Sequence, residues 1–141
     1  MKSLNASRYD SDAYSNNAKS AVRVKEIKPQ YADNAPLQKG YEILNKYFDE
    51  LFAANPRVVA FGDEVGMICD LNQAFAGLQL KYGDNRVFDT GIRELTITWQ
   101  GIGFALRGLR PLADRQYLYY IVSGFKPLTN DSATIQYRTL V

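Results

Sequence analysis

The sequence contains no histidine and only one cysteine, Cys69. Without histidine, the chain by itself cannot form a Ser-His or Cys-His catalytic pair or a histidine-ligated metal centre. A single cysteine cannot form an internal disulfide or a thiolate metal cluster, which favours a reducing cytoplasmic location. Acid-base chemistry near neutral pH must therefore rest on carboxylates, tyrosine or lysine in special environments, or on a bound cofactor.

Long apolar runs and a strong charge of one sign are missing as well. No run approaches the roughly 20 apolar residues of a membrane-spanning helix, and the start is too polar for a signal peptide. The net charge of +2 is too small to indicate a nucleic-acid or acidic membrane partner. A basic group near the start is interrupted by Glu26 and lacks interleaved aromatics, which favours a solvated linker over a nucleic-acid strip. Its members are Lys19, Arg23, Lys25 and Lys28.

The 141 residues are enough for one domain with a single core. Residues 1–31 are rich in Ser, Asn, Ala and Lys without a sustained apolar period, so we expect a polar tail or linker there. Residues 32–141 are then expected to form the domain. It should open with a helix that starts at Asn34-Ala35-Pro36, where proline suits the first turn, and ends near residue 55.

Helical and strand patterns alternate through the rest of the chain. Short apolar runs predict buried strands at residues 58–61, 86–89 and 110–114, and helical patterns cover residues 72–82, 94–106 and the segment from about 118. This alternation predicts a three-layer α/β fold, with a mostly parallel sheet and helices on both faces. Ligands of such sheets collect at the carboxyl ends of the strands, here followed by residues 62–66, 89–94 and 114–120.

Two short motifs have more ordinary explanations than a site. Gly101 and Gly103 lie inside the third predicted helix, and the third glycine of a dinucleotide fingerprint is missing, so packing glycines are favoured. Cys69 stands among apolar neighbours, where a buried inert thiol is commoner than a nucleophile.

Carboxylates after the first two strands are the remaining candidates. Asp63, Glu64 and Asp70 could offer oxygen ligands to a divalent ion, but solvated loop carboxylates are favoured. Glu94 opens a predicted helix shortly after the second strand. On position alone, a helix-start carboxylate favoured by the helix dipole is the commoner explanation, and a catalytic acid is the alternative.

Four segments resemble the pyrimidine-binding domain of thiamine-diphosphate-dependent 2-oxo acid dehydrogenases, which belong to the transketolase-like superfamily. They are Val59–Gly66, Asn72–Gln79, Lys81–Glu94 (KYGDNRVFDTGIRE) and Gly101–Pro111. The resemblance runs from about residue 23 to the end and is nearest to fused single-chain forms. It implies a domain that stops short at its C-terminal side and lacks the segment that binds magnesium and diphosphate.

The resemblance also implies a role for each matching residue. Glu94 would hydrogen-bond the N1′ atom of the aminopyrimidine and favour the 4′-imino tautomer, Tyr120 would pack against that ring, and Ile92 and Gln116 would line the pocket. The implied reaction is oxidative decarboxylation of a pyruvate-type or branched-chain 2-oxo acid, with acyl transfer to a lipoyl group. The implied partners are a diphosphate-binding domain or subunit that holds Mg²⁺, further copies of the chain, and a lipoyl-bearing acyltransferase.

Some positions depart from the family pattern. Arg115 stands where an apolar residue is usual, Asp114 where glutamate is common, Tyr119 where an acidic residue often occurs, and Trp99 where a small residue is common. Because burying an unpaired arginine is costly, Arg115 should pair with a carboxylate or remain in contact with water. Otherwise it indicates a copy of the domain that has lost its catalytic activity. A catalytically degenerate interaction or regulatory domain therefore stays an alternative, as does a stand-alone nucleotide-binding module whose Thr90–Glu94 turn offers backbone donors to phosphate.

A domain that supplies only one half of a cofactor site must contact the partner that supplies the other half through an exposed surface. We therefore expect exposed apolar side chains on the helix at residues 94–106 and over residues 117–120.

Overall fold

The computed structural model describes residue 20, residues 23–67 and residues 71–139. These residues fall in two compact units, of which one spans Gln38–Ser132 and the other joins residues up to Leu37 with those from Ala133. The predicted boundary at residue 31 stays a prediction. Most of the predicted tail, together with Cys69 and Asp70, lies outside the described residues.

The unit over Gln38–Ser132 alternates helices and strands. In chain order its main elements are α1 (Gly40–Ala54), β1 (Val58–Gly62), α2 (Leu78–Tyr82), β2 (Val87–Asp89), α3 (Glu94–Leu106) and β3 (Arg110–Asp114). A 3₁₀ turn (Leu118–Tyr120), α4 (Ile121–Pro127) and a π-helical turn (Leu128–Ser132) follow. The other unit contains α5 (Ile135–Thr139).

The three strands form a parallel sheet in the order β2-β1-β3. All five residues of the central strand β1 are buried, as its continuous apolar run predicts. Phe61 of β1 faces Phe88 of β2 and Ala113 of β3 in the register of the sheet.

Two separate apolar clusters cover the two faces of β1, because successive side chains point to opposite faces of a strand. Val58 and Ala60 pack with α1 and α2, and the buried members of that cluster also include Phe52, Val65, Ala74, Phe75, Leu78 and Val87. Val59 and Phe61 pack with Ile97 of α3 on the opposite face. Helices therefore cover both faces, and the predicted three-layer α/β fold is confirmed. Among the described residues, we find no helix with the length and apolarity to cross a membrane.

The first helix begins later than predicted. Lys39, just before α1, has an extended backbone (φ −73°, ψ 142°), so the helix starts at Gly40 rather than at Asn34-Ala35-Pro36. The carboxylate of Glu42 accepts the backbone N–H of Lys39 at 3.2 Å, which satisfies a donor that the start of the helix leaves open.

The second predicted helix is also shorter, because α2 occupies only the last five residues, Leu78–Tyr82, of the predicted range 72–82. Gln73 (φ 58°) and Gly77 (φ 76°) adopt the left-handed conformation, which a right-handed helix cannot contain. The side-chain amide of Asn45 on α1 donates to the carbonyls of Ala74 (3.2 Å) and Ala76 (3.1 Å). These bonds from a distant helix satisfy carbonyls that a continuous helix would have used.

Candidate functional site

The loops that follow the three strands meet at the carboxyl edge of the sheet, because all three strands run parallel. The carboxylate of Asp89 accepts the backbone N–H groups of Gly66 (2.6 Å) and Met67 (3.0 Å), and the N–H of Thr90 donates to the carbonyl of Gly62 (2.8 Å). The loops after β1 and β2 are thereby tied together. The Thr90 N–H is used in this contact, which weighs against a phosphate site in the Thr90–Glu94 turn.

Gln116 joins the loop after β3 to the loop after β1. Its side-chain amide donates to the carbonyl of Asp63 and to the Glu64 carboxylate, both at 3.3 Å. Its own carbonyl accepts a hydrogen bond from the Asn72 side chain at 3.2 Å. The side chain of Gln116 is therefore directed at the β1 loop.

Strained backbone is concentrated at this edge. Among the described residues, the non-glycine residues with positive φ are Glu64, Gln73 and Gln116, with φ between 55° and 58°. Such conformations cost of order 1 kcal/mol each and persist where surrounding contacts hold them, often at functional sites. Here the contacts of Gln116 with Glu64 and Asn72 link all three regions.

Glu94 is the first residue of α3 and its side chain is half-buried at the same edge. Burial raises the pKa of Asp63, and the negative charges of Glu94 and Asp89 raise it further. Glu94 and Asp89 therefore lie close enough to Asp63 to act on it. Within the described part of the chain, no group donates a hydrogen bond to the Glu94 carboxylate, so this carboxylate is available to an external group.

Tyr120 ends the turn before α4, which packs on α3 beside the Glu94 carbonyl, and Ile92 lies on the loop that leads to α3. A hydrogen bond with Tyr119 is the main cause that raises the pKa of Tyr120, and the charge of Glu94 contributes. The rings of Tyr119 and Tyr120 are 4.3 Å apart, and Tyr117 meets Tyr120 edge-on at 5.6 Å. The Ile92 side chain is 77% exposed. The structure thus places Glu94 and Tyr120 on neighbouring elements, directs the Gln116 side chain at the loop after β1 and leaves Ile92 open to solvent.

Arg115, which departs from the family pattern, connects the loop after β3 to α3 and α4 through two residues that the sequence did not indicate, Thr98 and Gly124. Arg115 donates to the hydroxyl of Thr98 (2.7 Å) and to the carbonyl of Ala113 (3.3 Å), and Thr98 donates to the carbonyl of Glu94 (2.7 Å). Gly124 of α4 packs against the same atoms. The one sequence signal for Thr98 is its position four residues after Glu94, where a threonine hydroxyl can reach the preceding carbonyl.

The two glycines inside α3 differ from each other. A methyl group at Gly101 would contact Phe61 and Ala113 at ordinary distances of 3.6–3.7 Å, so Gly101 packs against the sheet. A methyl group at Gly103 would meet nothing within 4 Å among the described atoms, so its prediction as a packing glycine is wrong. Neither glycine lies at a helix start, as a dinucleotide fingerprint requires.

An exposed apolar surface covers α3, α4 and the turn before α4. We call it the α3–α4 surface; its residues, 44–87% exposed, are Ile92, Leu95, Trp99, Leu118, Tyr119, Val122 and Phe125. So many large apolar side chains in one region are typical of an interaction site. The predicted exposed apolar face is confirmed on α3 and at Tyr117, Leu118 and Tyr119, whereas Tyr120 is half-buried.

A cavity with a volume of about 740 Å³ lies between α1, residues 72–75 and β3. None of Ile92, Glu94, Gln116 and Tyr120 lines it. The acidic candidates do not form a metal centre within the described residues, where no group of three or more His, Cys, Asp or Glu is placed to hold an ion. The third acidic candidate, Asp70, is outside those residues.

A parallel sheet with helices on both faces defines an α/β domain, a class in which ligands usually bind at the carboxyl edge of the sheet. No protein-family model matches the chain. Two bacterial relatives each share 98 aligned residues, 70% of this chain and 30% of their own length. The pyruvate dehydrogenase E1 component subunit beta of Acholeplasma laidlawii is 35% identical, and the 2-oxoisovalerate dehydrogenase subunit beta of Bacillus subtilis (strain 168) is 33% identical.

A mitochondrial pyruvate dehydrogenase E1 component subunit beta-1 from Arabidopsis thaliana is 33% identical over 107 residues, which are 76% of this chain and 30% of the relative. The resemblance seen in the sequence is confirmed: the chain is a homologue of the beta subunits of 2-oxo acid dehydrogenases and spans about 30% of their length. The expected cytoplasmic location stays a prediction.

Proposed function

We propose that this chain contributes the aminopyrimidine half of a thiamine diphosphate site, in an assembly that oxidatively decarboxylates a 2-oxo acid. The proposal includes a pyruvate-type or branched-chain substrate and acyl transfer to a lipoyl group. Its main support is the half-buried Glu94 carboxylate, which accepts no hydrogen bond from the described residues and stands at the carboxyl edge of the sheet, at the start of the helix that packs against α4 after Tyr120.

The donor and acceptor groups at this edge suit an aminopyrimidine. Its ring nitrogen N1′ can share a proton with a carboxyl group, and Glu94 is the carboxyl that the described residues leave without a donor. Its flat ring can stack on an aromatic side chain, which Tyr120 provides. Diphosphate and Mg²⁺ need cations and oxygen ligands that the described residues do not assemble here. We therefore assign them to a partner domain or subunit.

Each residue of the chain has a limited part in this proposal. Bound thiamine diphosphate supplies the reactive thiazolium carbon. Glu94 holds and exchanges a proton at N1′, and Tyr120 orients the ring. Ile92 lines the pocket once a partner covers it, whereas Gln116 acts from its rim by holding the loop after β1 against the loop after β3.

The α3–α4 surface is where we place the diphosphate-binding partner. It begins beside Glu94 and continues over the turn that carries Tyr120, so a subunit seated there would close the pocket and exclude water. The relatives are named as beta subunits, which supports a partner subunit of another kind. Further copies of this chain and a lipoyl-bearing acyltransferase complete the proposed assembly.

The change Glu94→Gln in the assembly with a diphosphate-binding partner tests the proposal. Glutamine keeps the size of the side chain and can still hydrogen-bond N1′, but it cannot exchange the acid proton. We expect near-normal cofactor saturation and a fall of about a hundredfold or more in the rate at which the cofactor C2 proton exchanges with deuterium. The control is Glu50→Gln, which changes an exposed carboxylate on α1.

A parent-like exchange rate for Glu94→Gln, at saturating cofactor, would make Glu94 a structural helix-start residue and overturn the proposal. The isolated chain offers a second measurement. Calorimetric titration with thiamine diphosphate and Mg²⁺ should detect only weak binding, because the half that holds diphosphate is supplied by the partner. Submicromolar affinity of the isolated chain would contradict this division of the site.

A non-catalytic interaction domain is the second candidate. Trp99 and Tyr119 replace the small and acidic residues of the family pattern, and both side chains are more than half exposed. They enlarge the α3–α4 surface without adding a chemical group at Glu94. This candidate predicts partner binding that is unaffected by Glu94→Gln together with no C2 exchange in the parent assembly.

A further inference from the structure

Arg115 follows β3 directly, and its side chain turns inward between three elements. One guanidinium nitrogen donates to the Thr98 hydroxyl at 2.7 Å, and the other donates to the Ala113 carbonyl at 3.3 Å. Its Nε atom is buried and has no hydrogen-bond partner among the described residues. Two of the guanidinium nitrogens of Arg115 thus donate to a hydroxyl and a carbonyl, and no described carboxylate pairs with it. The side chain is partly buried, and it does not use the carboxylate pairing that the sequence offered as one possibility.

The contact with Thr98 has a defined direction. The Thr98 hydroxyl carries one proton and donates it to the carbonyl of Glu94 at 2.7 Å, so the same oxygen accepts from Arg115. A hydrogen bond from a charged donor is stronger than one from a neutral donor and polarises the hydroxyl that receives it. Arg115 therefore strengthens a chain of hydrogen bonds that ends on the backbone of Glu94.

Thr98 is almost fully buried, and α4 encloses this chain of bonds. A methyl group at Gly124 would lie 2.6 Å from the Thr98 hydroxyl, 3.3 Å from the Glu94 carbonyl and 3.4 Å from Arg115 Nε. Glycine at this position is what allows α4 to pack directly on the bonded atoms. The first turn of α3 is therefore held from two sides, by β3 through Arg115 and by α4 through Gly124.

We propose that Arg115 is a positioning residue: through Thr98 it fixes the turn of α3 that presents the Glu94 carboxylate to the aminopyrimidine. The proposal rests on the proposed function of Glu94. A carboxyl that shares a proton with N1′ must be held within a fraction of an ångström of its place, and displacement by about 1 Å can cost a hundredfold in rate. Arg115 supplies this constraint without contacting the cofactor.

The first measurement uses the full chain without cofactor. In Arg115→Met, a side chain of similar length without donors, backbone amides over residues 94–98 should exchange with deuterium about tenfold faster than in the parent. Arg107→Met is the matched control, because Arg107 is exposed at the other end of α3. It should leave exchange over residues 94–98 unchanged.

The second measurement uses the assembly with a diphosphate-binding partner, Mg²⁺ and saturating thiamine diphosphate. Arg115→Met and Thr98→Val should each lower the rate of C2 proton exchange by about tenfold to a hundredfold, with the saturating cofactor concentration unchanged. The double variant should be no slower than the slower single variant, because both changes break the same chain of bonds. Arg115→Lys retains a charged donor and should recover part of the rate, even if Arg115→Met folds poorly.

The results separate the two proposals. If Glu94→Gln is slow but Arg115→Met matches the parent, or if the effects of Arg115→Met and Thr98→Val add, the positioning role is wrong and the proposed function stands. If Glu94→Gln also matches the parent, both are wrong. Recovery by Arg115→Lys together with non-additive single variants would establish the positioning role.

Discussion

Gly124→Ala tests how closely α4 is seated on α3. The added methyl carbon would lie 2.6 Å from the Thr98 hydroxyl oxygen, a separation that real side chains do not adopt. The hydroxyl cannot rotate away without cost, because Thr98 is 2% exposed and its oxygen is hydrogen-bonded to Glu94 and Arg115. Either α4 must move outward or both hydrogen bonds must lengthen.

The expected change in the free energy of unfolding follows from these two alternatives. Overpacking by one methyl group in a closely packed region costs about 1–3 kcal/mol, and each weakened hydrogen bond costs about 0.5–1.5 kcal/mol. The higher helix propensity of alanine offsets at most about 1 kcal/mol of this loss of stability. We expect Gly124→Ala to lower the free energy of unfolding by about 1–3 kcal/mol, measured by urea denaturation followed by far-UV circular dichroism.

The control is a glycine in the interior of α3 with open space around it. Gly103 has no described atom within 4 Å of the position where a methyl group would be built. Gly103→Ala should therefore raise the free energy of unfolding by about 0.5–1 kcal/mol, from helix propensity alone. If Gly124→Ala were as stable as the parent, or stabilised like Gly103→Ala, α4 would not rest on the Thr98 hydroxyl and the described packing would be refuted.

Three further variants test the surface charges and the α3–α4 surface. The hydrogen bond from Lys81 lowers the pKa of Asp49 in the folded chain below its ordinary value of 3.8. Asp49→Asn should therefore destabilise the chain at pH values above 3.8, and this difference should disappear as the pH falls through the pKa of Asp49 in the folded chain. Burial raises the pKa of Asp63, so Asp63→Asn should stabilise the chain at neutral pH, with the difference shrinking in acid. Both stability differences are measured from the midpoints of urea denaturation between pH 3 and pH 7. Val122→Asp should leave the stability of the isolated chain within about 0.5 kcal/mol, because Val122 is 76% exposed, and should weaken assembly at least tenfold in sedimentation.

Each of these variants has an outcome that would contradict its reasoning. A stability difference that is independent of pH for Asp49→Asn would show that its ion pair with Lys81 is not the source. Destabilisation by Asp63→Asn at neutral pH would mean that the charged carboxylate has a favourable partner. Unchanged assembly of Val122→Asp would move the partner away from the α3–α4 surface.

The positions of the strands along the chain and the long helix that begins at Glu94 could be predicted from the sequence. The run from Val58 to Phe61 is apolar at every position, which a strand buried on both faces requires, and the structure buries all of β1. The helical pattern from Glu94 to Leu106 agrees with the bounds of α3, since Gly108 with φ 86° ends it. These signals are local, so they survive in a single sequence.

The errors arose where distant residues decide the local backbone. Residues 72–77 carry a helical pattern, yet they form turns, because Asn45 on α1 binds their carbonyls and Gln73 adopts a left-handed conformation. A contact across about thirty residues leaves no trace in local periodicity. Tertiary hydrogen bonds overrode the propensity of this segment.

The position of Glu94 was predicted, but not the atoms that hold it in place. The helical pattern after the second strand predicts Glu94 at a helix start, and Glu94 is the first residue of α3. The bond between Arg115 and Thr98 joins residues 17 apart on different elements. Only the packing of β3 against α3 brings them within hydrogen-bonding distance.

The arrangement around Arg115 bears on whether this chain is a degenerate copy. An arginine that replaced an apolar residue by drift would be expected to turn to solvent, where its charge is hydrated at little cost. Here the guanidinium group is drawn inward and donates to the Thr98 hydroxyl, and Gly124 leaves the space that the bonded atoms need. Three residues on three elements are mutually adjusted, and the bonds that they form end on the backbone of Glu94. Such coordination is what selection for a precisely held carboxylate would produce, and it favours the catalytic half-site over the interaction domain.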